Sequence, residues 1–212
     1  LGLNRIRAGE ALAHSARLPH IAAMPYTPPP DLAALSLEDI ARMVAERRLP
    51  PVDQWHPAEE LDSQMEIRAD GSWWHQGGPI TRPAMVRAFS TLLMRDDAGQ
   101  HWLVTPQDRQ RIAVVDAAFV AVDVARIDGA LVFRLNTDDT VVAGPDHPLI
   151  ARGDAETPAI YLAVRHGCLA RIDRSTWGQL VDMALEKAGM VGGTDGGLSV
   201  DSLGISFPLT PQ

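Results

Sequence analysis

Two arginines, Arg82 and Arg174, each follow an isoleucine and a helix-capping residue, in Ile80-Thr81-Arg82 and Ile172-Asp173-Arg174, and each opens an amphipathic stretch. On the first turn of a helix, a guanidinium joins backbone amides that already favour negative charge. Two such turns facing one another would hold a small anion from both sides, with Arg109 and Arg165 able to assist. The ordinary alternative is that each arginine pairs with a nearby carboxylate. Trp73 and His75 share one face of a predicted strand and would meet the planar part of the ligand, while Thr105, Asp116 and Asn136 offer hydrogen bonds. A tryptophan packed in the core and a histidine bonded to backbone are the everyday readings of the same two residues.

Covalent and metal chemistry find less support. Cys168 lies two residues from His166 on a predicted strand, so the two could share a face, but a buried hydrophobic cysteine is the simpler expectation. His56, Glu59 and Glu60 have helix-compatible spacing that Pro57 disrupts, and His75, His101, His147 and His166 follow no ligand spacing, so no metal and no cofactor is expected. The acid pairs Glu59-Glu60, Asp96-Asp97 and Asp138-Asp139 fall in turns and read as solvated. The glycines from Gly192 to Gly197 lack the lysine of a phosphate-binding loop. A hydrolase or transferase using His75 or His166 is the enzymatic rival to a ligand-binding protein. A protein-interaction module with an apolar groove on the second domain is another, so a protein partner stays open.

The elements that must position these residues are legible from local signals. Pro28-Pro29-Pro30 makes an extended lead-in, and Ser36 caps a helix with Leu37, Ile40, Met43 and Val44 on one stripe, stopped by Pro50-Pro51. Met65 to Ala69 and Ser72 to Gln76 form a hairpin about Asp70-Gly71; Gly77-Gly78-Pro79 then breaks the ladder. Thr81 caps a helix that buries Met85, Phe89, Leu92 and Leu93 and ends at Asp96 to Gly99. His101 to Thr105 is a strand, Thr105 to Asp108 one helical turn, and Ile112 to Val115 another strand. Strands follow at residues 119–125, 131–136, 140–143, 160–165 and 169–172. A helix capped by Asp173 then turns Trp177, Leu180, Val181, Ala184 and Leu185 inward and ends near Ala188-Gly189. The tail regains apolar residues from Leu203 to Leu209 and folds back as an extended strand.

Hairpin followed by Ile, cap, Arg and helix thus occurs twice. This repetition predicts an α+β protein of two β-rich domains built from a duplicated hairpin-plus-helix unit. Residues 1–50 form an N-terminal extension and helix, 51–115 the first domain, and 116–212 a second domain closed by a helix. Duplication leaves a seam, where small ligands commonly bind.

Composition bounds the rest. With 46% hydrophobic and 22% charged residues and no long apolar run, the chain has no membrane span. Net charge is −8, with residues 113–212 holding seven Arg or Lys against thirteen acids; no segment is strongly basic, which argues against nucleic acid as a partner. A small anionic ligand needs only two or three arginines. Cys168 is the sole cysteine, so no intrachain disulfide can form and a cytoplasmic location is expected. Leu1 is not an ordinary start residue, and Met24 is a candidate start.

Six segments in order carry a family resemblance: Trp55-His56-Pro57, Asp70-Gly71-Ser72-Trp73, Pro79-Ile80-Thr81-Arg82-Pro83, Leu103-Val104-Thr105-Pro106, Asp116-Ala117-Ala118-Phe119 and Val164-Arg165. Over roughly residues 50 to 190 they resemble the bacterial domain-of-unknown-function family numbered 1285. The resemblance implies a duplicated β-rich core, a C-terminal domain superficially like pleckstrin-homology folds, and a ligand site at the domain interface. It also implies a nucleotide-like ligand and a role in signalling. The expected protein is therefore a non-enzymatic sensor or regulatory protein holding a small anion between its domains.

Overall fold

The computed structural model describes residues 49–154, 158–191 and 197–211. The proline lead-in, the helix from Ser36, the candidate start at Met24 and most of the Gly192–Gly197 turn lie outside the described residues. Two β-rich domains follow one another, each a six-stranded sheet.

The first domain runs β1 (Glu59–Ile67), β2 (Trp73–His75), β3 (Gly78–Pro79), α1 (Pro83–Ser90), β4 (Leu93–Arg95), β5 (His101–Val104) and β6 (Asp108–Val114), with strand order β3-β2-β1-β6-β5-β4. The second runs β7 (Phe119–Ile127), β8 (Ala130–Leu135), β9 (Thr140–Val142), β10 (Leu149–Gly153), β11 (Pro158–Arg165) and β12 (Cys168–Ile172), with order β10-β11-β12-β7-β8-β9. Both are pairs of three-stranded meanders joined where the first and last strands run parallel, β1 with β6 and β7 with β12. The helices differ in place: α1 lies between the two meanders, whereas α2 (Arg174–Val191) follows the last strand. Hairpin-then-helix therefore occurs twice along the chain, but at different points of the two sheets.

The inner faces share one core. Ile67, Trp73, Phe89, Leu93 and Ile112 of the first domain join Phe119, Phe133, Leu162, Ile172 and Leu180 of the second in a single apolar cluster. Alternation along β8 works as expected, with Leu131, Phe133 and Leu135 in this core. Trp73 and Trp74 part to opposite faces. Trp73 stacks on Phe89 with centroids 6.3 Å apart, and Trp74 lies under Arg68, whose Cζ is 3.5 Å from the ring centroid.

Several expected elements are replaced, each for a local reason. Thr81 does not cap α1: Pro83 occupies the first helical position and pushes the preceding Arg82 into extended conformation, so Arg82 itself is the N-cap, without a side-chain cap bond. The helix stops at Ser90, where the Ser90 and Thr91 hydroxyls donate to the Arg87 and Ala88 carbonyls at 2.8 and 2.7 Å. Leu93 consequently begins a strand. Thr105 to Asp108 is a tight strand connection and not a helical turn; Thr105 Oγ1 accepts the Gln107 and Asp108 amides at 3.2 and 3.1 Å, returning the chain into β6. Gly78-Pro79 pairs as an edge strand instead of ending the ladder. In α2, Asp173 Oδ1 accepts the Thr176 amide at 2.7 Å as a cap should, but Leu185 is 52% exposed. It sits five residues beyond buried Leu180, about 140° around the helix from it.

The tail forms a hairpin, β13 (Ser199–Ser202) with β14 (Ile205–Pro208). Ser202 Oγ accepts the Leu131 amide at 2.8 Å and donates to the Ala143 carbonyl at 2.7 Å, and Lys187 Nζ donates to Ser199, Asp201 and Ser206. The hairpin is thereby fastened to β8 and to α2.

At the seam, the Asp70-Gly71 turn of the first domain abuts the second. Gly71 has φ +79°, and its carbonyl accepts Asn136 Nδ2 at 3.2 Å. A Cβ there would lie 2.6 Å from that nitrogen and 2.7 Å from Val120 Cγ2. Gly71→Ala should therefore cost about 1–3 kcal/mol through strain and overpacking, read as a lowered urea midpoint with an unchanged slope.

Candidate functional site

A groove of about 380 Å³ opens at the seam, lined by Trp73, Ile80, Thr81, Val86 and Arg87 of the first domain and by Asn136 and Asp138 of the second. The lining follows from the chain path. The hairpin turn brings Trp73, the edge strand runs out through Pro79 and Ile80, and α1 presents Val86 and Arg87 one turn after Pro83. From the second domain, Asn136 directly follows β8 and Asp138 sits in the same turn at φ +62°. Arg87 Nη1 and Asp138 Oδ2 are 3.6 Å apart, one charge from each domain. Trp73 is 2% exposed, and its Nε1 is buried with no hydrogen-bond partner among the described residues.

Of the residues singled out in the sequence, Trp73 and Asn136 line this groove, and exposed Arg82 lies between two of its lining residues, Thr81 and Pro83. His75 is two residues beyond Trp73 on β2, half-buried. The others are placed elsewhere or already engaged. Arg109 pairs with Glu60 on the outer face of the first sheet, its Cζ 4.3 Å from the Trp102 centroid. Thr105 is spent on its own turn. Asp116, between the sheets in sequence, accepts Tyr161 Oη at 2.6 Å and Arg171 Nη1 at 2.8 Å. Arg174 is exposed on the first turn of α2 and is not among the lining residues.

Two lining charges escaped sequence reasoning. Arg87 has no special spacing, although it projects from the helix that Arg82 opens. Asp138 belongs to Thr137-Asp138-Asp139, which reads as a solvated turn. The signal that could have separated them is the turn itself: Asp139 is only 4% exposed, so the turn is anchored inward and fixes where Asp138 sits.

Cys168 is not poised as a nucleophile. Burial pushes the Cys168 thiol up to about 12, so it stays protonated at neutral pH, and its strand partner is Arg165. Among the described residues no three His, Cys, Asp or Glu side chains gather as a metal site, and no helix is long and apolar enough to cross a membrane.

The sequence itself decides the relationship. Residues 50–117 match the family model described as the N-terminal domain of DUF1285, a domain of unknown function, and residues 118–209 match the C-terminal domain of the same family. The chain belongs to the DUF1285 family. It is similar to the crystal structure of a DUF1285 family protein from Silicibacter pomeroyi DSS-3, with 39% identity and a TM-score of 0.69 over 80% of this chain and 92% of that one. A DUF1285 family protein from Shewanella baltica OS155 aligns at 20% identity and a TM-score of 0.48, over 57% of this chain and 91% of that one. No curated protein matches the chain.

In this DUF1285 protein a largely buried ion pair of the second domain reaches across the seam. Arg165 and Asp139 side chains are 12% and 4% exposed, with both Nη atoms 3.1 Å from Asp139 Oδ2, and Arg165 Nη2 donates to the Ser90 carbonyl of the first domain at 3.0 Å. Thr137 Oγ1 adds a third hydrogen bond to Asp139 Oδ2 at 2.9 Å. Burial pulls the guanidinium down to about 10, still charged at neutral pH. Arg165→Met should therefore cost about 3–5 kcal/mol by removing the charge that faces Asp139, while the double variant with Asp139→Leu loses less than the two single losses combined. Denaturant unfolding of the four proteins in that cycle measures it.

Two histidines set an acid limit. Burial is the first cause that lowers both His101 and His166, with Arg95 acting the same way on His101 and Arg165 on His166. Folding favours their neutral forms, so the stability they confer is complete above the ordinary value of 6.5 and is lost as pH falls through the lowered folded-state values. The urea midpoint should fall on mild acidification, and less steeply in His166→Gln.

Proposed function

We propose that this protein is a non-enzymatic, small-ligand-binding sensor or regulatory protein of bacterial signalling, with its ligand held in the groove between the two domains. The observation that carries this reading is the groove itself, whose walls come from both domains and whose size falls in the lower part of the about 300–1,000 Å³ typical of small-molecule sites. An anionic group, such as that of a nucleotide-like ligand, would face Arg87, with Arg82 beside it, and a planar body would lie along Ile80 and Val86. Occupancy would report through the seam, because a ligand touching both walls binds one relative placement of the domains better than others. The sole cysteine, buried and protonated, supports a cytoplasmic setting. The common strand order of the two sheets supports descent of both domains from one duplicated unit, and the helix following the second sheet supports its likeness to a pleckstrin-homology fold.

Thermal-shift screening with nucleotides and small anionic metabolites tests the site. A ligand present at about a hundredfold excess over its Kd stabilises the fold by about 2.7 kcal/mol, and Val86→Trp, which fills the groove, should abolish the shift without unfolding the protein. A shift that survives Val86→Trp would move the ligand elsewhere.

A further inference from the structure

We propose that the groove's ligand is a small zwitterion, an α-amino acid with an apolar side chain or a molecule of that build, its carboxylate on Arg87 and its ammonium on Asp138. This rests on reading the groove as the ligand site. The groove's two charged lining residues are of opposite sign and come from the two domains, Arg87 on α1 and Asp138 in the turn after β8. Their side chains are 35% and 19% exposed, so both are partly withdrawn from water, where a complementary charge gains more than it would on an open surface. At 3.6 Å their contact is longer than a charge-assisted hydrogen bond.

Charge balance narrows the anionic ligand to one that also carries a positive charge. A ligand with several negative charges would set one against Asp138, a like-charge contact that costs binding. An ammonium there replaces repulsion with attraction. Asn136 completes the recognition: its Oδ1 accepts the Val120 amide at 3.0 Å and its Nδ2 donates to Gly71, leaving one amide hydrogen for the carboxylate. Pro79, Ile80 and Val86 supply the apolar wall that would receive the side chain. The volume suits a free amino acid and is small for a dinucleotide.

The test is a calorimetric panel on the full chain: the proteinogenic amino acids, the N-acetyl and carboxamide derivatives of whichever binds best, and adenosine monophosphate. At least one amino acid should bind, and either derivative should lose about tenfold or more in affinity, since each removes one charged hydrogen bond. Asp138→Asn keeps a residue that tolerates positive φ, so the fold survives; it should weaken the amino acid and abolish discrimination against its N-acetyl form. Arg87→Gln should do the same for the carboxamide. Equal binding of the N-acetyl form to the unaltered protein, or binding by adenosine monophosphate with no amino acid bound, overturns the zwitterion and leaves the groove as a ligand site. If no probe binds, or if binding survives Val86→Trp, the groove reading falls as well.

Discussion

A guanidinium wedged between two sheets organises this molecule. Arg165 leaves β11, crosses the face of Phe119 with its Cζ 4.7 Å from the ring centroid, meets Asp139 and reaches the carbonyl that ends α1. Apolar packing alone would let the two sheets slide, because hydrophobic contact is indifferent to direction. A charge that must find particular oxygens is not. Because Asp139 is held by this contact and by Thr137, the preceding Asp138 has a defined place in the groove; because Ser90 is the last residue of α1, the helix that carries Arg87 is fixed against the same anchor.

A second device works beside the first. Each domain pushes a tight turn against its neighbour: Gly71 meets Asn136 and Val120, and Gly167 at φ +75° meets the Arg95 carbonyl, which a Cβ would approach to 2.7 Å. The Arg95 amide in turn donates to the His166 carbonyl at 2.8 Å. Glycine is needed at both places for conformation and for space. The seam is thus tied at two turns with the charged anchor between them in sequence, and the groove opens beside the Gly71 contact.

What the sequence disclosed, and what it withheld, follows from the range of the forces involved. Asp70-Gly71 and His166-Gly167 announce their turns because positive φ is a local demand, and Asp173 announces its cap because the bond spans three residues. The two domains and the family were legible from such signals in series. Long-range pairing was not. Nothing near Glu59 says that it will lie beside Asp108, and nothing near Arg109 says that Glu60 will take its charge. Arg109 and Arg165, which were expected to assist an anion cradle, are drawn into ion pairs with Glu60 and Asp139, 49 and 26 residues away in sequence, while Arg82 and Arg174 stay exposed. The groove charges came instead from a helix face and a turn whose meeting depends on the folded seam.

The parallel pairs at the sheet centres carry a consequence for how the chain is made. In each sheet the first strand waits for the last, β1 for β6 and β7 for β12, so the central backbone ladder closes only after the intervening segment has emerged from the ribosome. Until then β1 and β7 each expose an open edge, the kind that recruits strands from neighbouring nascent chains. The acidic opening of β1, Glu59-Glu60 with Asp62, places repelling charge on that edge during synthesis and discourages wrong partners before the right one arrives.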